Sequence, residues 1–123
     1  MADDGEVTWW ELAVPDVERA KQFYGAIFPW QFESMQGFEG YVLVKVGDTQ
    51  IGALQASDAG QPSGRGVMLY VQVADLEGTL ERARSAGGTV EHERSEVPGN
   101  QWFGQVSDPF GLRIGFLTSN PAS

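Results

Sequence analysis

Apolar and polar positions along this chain alternate, then cycle at helical spacing, then alternate again, and the whole pattern occurs twice. Val7-Thr8-Trp9-Trp10-Glu11-Leu12-Ala13-Val14 is dense in β-branched and aromatic residues and predicts a strand. Pro15-Asp16 ends it, and the Asp16 carboxylate suits a helix N-cap. From Val17 to Phe28 the apolar residues Val17, Ala20, Tyr24, Ile27 and Phe28 fall at helical spacing, with Glu18, Arg19, Lys21 and Gln22 on the other side. Pro29 stops the helix. Three short strands follow, over residues 30–35, 41–46 and 49–55. A Gly-bearing turn over residues 36–40 joins the first two, and Gly47-Asp48 is a tight hairpin signal between the last two. The unit is β-α-β-β-β.

Residues 57–66 (SDAGQPSGRG) are the most linker-like stretch of the chain. The pattern then restarts. Residues 67–73 predict a strand, and Asp75 repeats the cap. Leu76, Leu80 and Ala83 mark the buried stripe of a second helix, which Gly87-Gly88 closes. Strands are expected over 89–95, 101–106 and 112–118, the last two joined by the turn Asp108-Pro109-Phe110-Gly111. An offset of 59 residues superposes Asp16 on Asp75, Val14 on Val73 and Val17 on Leu76. Such a repeat implies two supersecondary units that need each other to bury a face. The expectation is a single α+β domain, with module one at about 7–56, the linker at 57–66 and module two at about 67–118.

The length of 123 residues, with 41% apolar and 20% charged positions, is that of one globular domain with a core of its own. There is no cysteine, which excludes disulfides, thiol catalysis and cysteine metal sites. The acidic, polar start has neither the basic region nor the apolar run of a signal peptide, and the expectation is a cytoplasmic protein. A formal net charge of −9 repels phosphate backbones and anionic lipids, so neither nucleic acid nor a membrane is an expected partner.

Two segments carry a resemblance. Val14-Pro15-Asp16 followed by Glu18-Arg19-Ala20-Lys21-Gln22-Phe23-Tyr24 resembles the opening of the vicinal-oxygen-chelate superfamily, which holds glyoxalases, bleomycin-resistance proteins and dioxygenases. Ser107 to Ile114 resembles that family's closing Asp-Pro-Asp-Gly motif, departing from it at Phe110, a turn tip. The motif names a fold and not an activity, because Pro109 and Gly111 are explained by the turn itself. The resemblance implies two βαβββ modules forming a curled mixed sheet around a cleft. It also implies, in metal-using members, His, Gln or Glu ligands from defined strand positions. Carried onto this chain, those positions hold Trp9, Met68, Gly115 and Gly52 or Ala53, none of which ligates a divalent metal in the usual way. The expectation is no metal and no cofactor.

Strand alternation places Trp9 and Glu11 on one face, and Met68 and Tyr70 on the equivalent face of module two; by the family register, Phe103 and Gln105 join the latter pair. Trp10, Phe28, Phe32 and Phe116 are expected in the core. Aromatic walls with a few polar groups suit a small organic ligand. Trp9, Met68, Phe103, Gln105 and Trp102 are the candidate ligand contacts, Trp102 through a loop over residues 98–101 that would act as a lid. Glu11 and Tyr70 are the candidate catalytic groups. Glu11 has an alternative, pairing with Arg113 or Tyr70. His92, the only histidine, lies in a charged stretch that reads as an edge strand. The leading expectation is a metal-free protein that binds a small, partly aromatic molecule, with homodimerisation implied by the resemblance. The rivals are a metal-independent isomerase, cyclase or lyase, and an interaction module with no small ligand.

Overall fold

Asp16 caps as its sequence position requires: in the computed structural model, which describes residues 4–56 and 66–122, its carboxylate accepts from the Arg19 backbone N–H at 3.1 Å. The helix it opens, α1 (Val17–Ile27), follows β1 (Val7–Val14). Three strands come next: β2 (Gln31–Ser34), β3 (Tyr41–Val46) and β4 (Thr49–Ala56). The expected linker lies almost wholly outside the described residues. Past it, β5 (Val67–Gln72), α2 (Leu76–Ser85), β6 (Thr89–Val97), β7 (Gln101–Ser107) and β8 (Arg113–Thr118) repeat the order. The architecture is α+β with mixed pairing, and each predicted element is present within two residues of its expected bounds at each end.

By contacts the chain divides into two compact units. One runs from Trp9 to Met68; the other joins the residues up to Thr8 with those from Leu69 onward. In the first unit the strands run in the order β2-β3-β4-β1. β1 and β4 are parallel, with Glu11 beside Ala53 and Leu12 beside Leu54. The other pairs are antiparallel. Val42, Val44 and Leu54 are buried under α1, and Trp10, Leu12, Val17, Ala20, Tyr24, Trp30 and Phe32 pack on them. Gly52 is buried, and a Cβ there would meet the Trp10 ring at 2.3 Å. The Phe28 expectation is corrected. Its ring lies 4.8 Å from that of Trp30, yet the residue stays 43% exposed, because the chain turns extended there at the helix end.

In the second unit the order is β5-β8-β7-β6, with β5 and β8 parallel and the rest antiparallel. Val73, Leu76, Leu80, Val106 and Phe116 form the core against α2, with Phe116 buried as expected. Full burial of Leu76 and Leu80 contributes about 1.5–3 kcal/mol each. Asp75 accepts from the Gly78 N–H at 3.0 Å, the same cap as Asp16. β6 is the edge strand, as the charges around His92 suggested, and it carries two register shifts. At the Asp-Pro turn the Asp108 carboxylate accepts from the N–H groups of Phe110 (2.8 Å) and Leu112 (3.0 Å). Gly111 takes the positive φ of 89° that this turn needs, and Phe110 points outward, 90% exposed.

Candidate functional site

Residues alternate across β1, so Trp10 and Leu12 face α1 while Trp9 and Glu11 lie on the other side of the sheet. The parallel pairing with β4 sets Ala53, a side chain without reach, beside Glu11. β3 follows β4 in antiparallel register and brings Tyr41 to the same face. The Trp9 indole Nε1 donates to the Tyr41 hydroxyl at 3.2 Å, and that hydroxyl donates to Glu11 Oε2 at 2.6 Å. All three residues are half-buried. A hydroxyl donated to a carboxylate at this distance is a short, charge-assisted bond. It fixes the orientation of the acid and presents indole, phenol and carboxylate together on one apolar sheet face. Sequence reasoning placed Trp9 and Glu11 together but missed Tyr41. The available signal was a tyrosine opening a strand directly after Gly40. Glu11 thus has a phenol partner in Tyr41.

In the second unit Tyr70 is 5% exposed and accepts from Gln105 Nε2 at 2.9 Å. Its ring meets Phe103 edge-on, with centroids 6.4 Å apart, and Phe103 in turn lies 5.9 Å from His92. Tyr70, Phe103 and Gln105 therefore come together as expected. Met68, the last residue of the first unit, is half-buried on β5. Trp102 does not join them. It is a β7 residue on the α2 side, packed against the core, with the Arg94 guanidinium 5.2 Å from its ring centroid. Arg94 also grips Glu77 through two N–H groups, at 2.5 and 2.8 Å. That hydrogen-bonded pairing holds the Glu77 carboxyl below its usual range and raises Arg94.

The positions that would carry metal ligands do not fit a metal. Trp9 offers an indole donor already turned to Tyr41. Ala53 has no donor, and Gly52 faces the Trp10 ring. Gly115 lies beneath Tyr70, where a Cβ would come within 2.3 Å of the ring. Among the described residues no group of three or more His, Asp or Glu side chains converges.

The model of the Glyoxalase/Bleomycin resistance protein/Dioxygenase superfamily matches residues 6–116. The chain belongs to this superfamily. Solved structures agree on the fold. A hypothetical protein from Bacillus halodurans C-125 superposes with a TM-score of 0.68 at 12% identity, covering 98% of this chain and 99% of its own. A superfamily member from Vibrio splendidus 12B01 gives 0.66 at 19% identity, over 89% and 95%. Methylmalonyl-CoA epimerase from Mycobacterium tuberculosis gives 0.67 at 21% identity, over 98% and 93%. No curated protein sequence matches significantly. At these identities the superfamily neighbours share a fold with this chain, and its activity must be argued from its own residues.

Proposed function

We propose that this superfamily member binds a small, partly aromatic organic molecule, without a metal, on the sheet face that carries Trp9, Glu11 and Tyr41. The observation that supports this is the hydrogen-bonded row Trp9–Tyr41–Glu11, half-buried on a face whose metal-ligand positions are filled by residues without suitable donors. Indole and phenol rings give a flat molecule a surface to stack on, and the oriented carboxylate gives it a polar anchor. The protein works as a cytoplasmic homodimer in this reading, and light scattering on the purified chain measures the dimer directly.

Tryptophan fluorescence tests the binding. Titration with indole, quinoline and naphthol is expected to quench emission saturably for at least one of them. Trp9→Ala and Tyr41→Phe should weaken that binding by about tenfold each, the loss of about 1.4 kcal/mol. Absence of saturable quenching by any flat aromatic compound sinks the proposal. A second reading has one observation in its favour, the 2.6 Å bond from Tyr41 to Glu11, which holds a carboxylate ready for proton transfer. In that reading the protein is a metal-independent isomerase, cyclase or lyase. Glu11→Gln separates the two: binding retained with turnover lost marks the enzyme.

A further inference from the structure

The two modules present structurally equivalent positions, and the chain fills them differently. The 59-residue offset superposes Glu11 on Tyr70. Each lies on the first strand of its module beside a parallel last strand, Glu11 opposite Ala53 and Tyr70 opposite Gly115. In module one the position holds a carboxylate beside a methyl group. In module two it holds a phenol ring seated on a bare backbone. A Cβ at residue 115 would lie 2.3 Å from Tyr70 Cε2 and 2.4 Å from Cδ2, far inside van der Waals contact. Gly115 has no positive φ, so its backbone does not call for glycine. The missing side chain is required by the ring alone. Gln105, opposite Gly115 on β7, donates to the phenol oxygen at 2.9 Å, and Phe103 closes on the ring edge. Tyr70 is held from below, from its tip and from one side, and only 5% of it is exposed.

We infer that module two carries a ring seat over Gly115 that the chain's own Tyr70 occupies, leaving no room there for a ligand ring or for a metal-ligating side chain at position 115. The seat itself is a statement about Tyr70 and Gly115 and stands whether or not module one binds anything.

A double-mutant cycle read by thermal unfolding tests the seat without any ligand. Gly115→Ala in the wild-type background should lower Tm by about 5 °C or more, the overpacking penalty of a methyl group forced into a ring. The same change in a Tyr70→Ala background should cost almost nothing, because the ring that opposed it is gone. Phenol at millimolar concentration should raise the Tm of Tyr70→Ala, and should not raise that of wild type or of Tyr70→Ala with Gly115→Ala. If Tyr70→Ala does not fold, Tyr70→Leu, which lacks a flat ring, completes the cycle. A Gly115→Ala protein with wild-type Tm overturns the inference, as do equal costs of Gly115→Ala in both backgrounds. Failure of the aromatic titrations in the preceding subsection leaves this cycle untouched.

Discussion

At the scale of single residues, the informative contacts join side chains that sequence spacing alone could not pair. Tyr41 reaches Glu11 only because β1 is parallel to β4 and β4 antiparallel to β3. Two register choices stand between those residues, and alternation along one strand encodes neither of them. Trp9 and Glu11, by contrast, were legible as one face because period two is a local property. Trp102 was legible by that same local rule: it falls in the strand expected over 101–106, and alternation sets it opposite Phe103, toward α2, and away from the lid contact expected of it. Tyr41→Phe should cost about 1.5–3 kcal/mol of folding stability, the range for a hydrogen bond to a charged group, measured by urea denaturation at neutral pH. Gly52→Ala should cost more than an ordinary surface change, about 1–3 kcal/mol, since its methyl group meets the Trp10 ring.

At the scale of elements, the starts and stops of both helices were readable because caps are local chemistry. Asp16 and Asp75 each accept an N–H three residues on, and removing either carboxylate with alanine should cost about 1 kcal/mol. What the pattern did not show is how β6 is tied to α2. Arg94 on β6 reaches Glu77 on α2, lies over Trp102 and donates to the Asn120 carbonyl at 3.0 Å. Glu77 keeps a carboxyl held below the usual range in the folded state. Its contribution is therefore complete above the unfolded carboxylate pKa and is lost as pH falls through the lower, folded value. Glu77→Gln should destabilise by up to about 1 kcal/mol at pH 7, the scale of a largely exposed pair. At the acid end, once the wild-type carboxyl is protonated, the two proteins should unfold at the same denaturant concentration.

At the scale of the whole molecule, the repeat was legible from end to end, because each module needs its own apolar helix stripe and each has one. The allocation of the chain's start was not. Residues up to Thr8 group with the second unit, where the Gly5 N–H donates to the Gln72 carbonyl at 2.7 Å and Asp4 accepts from the Ala74 N–H at 3.0 Å. Asp4→Ala should accelerate hydrogen exchange at the Ala74 amide and leave the β3–β4 amides of the first unit unchanged. Dialysis against a chelator should change neither Tm nor aromatic quenching, and a stoichiometric metal found by elemental analysis would refute the metal-free reading. The Tyr70–Gly115 pair also has a consequence for descent. A lineage carrying it cannot gain a metal-ligating side chain at position 115 by one substitution, since any new side chain strikes the ring. Tyr70 has to shrink first, and that first step opens a hole with nothing yet to fill it. A step toward a metal-ligating side chain at position 115 thus runs through a less stable intermediate, which the Tyr70–Gly115 pair imposes.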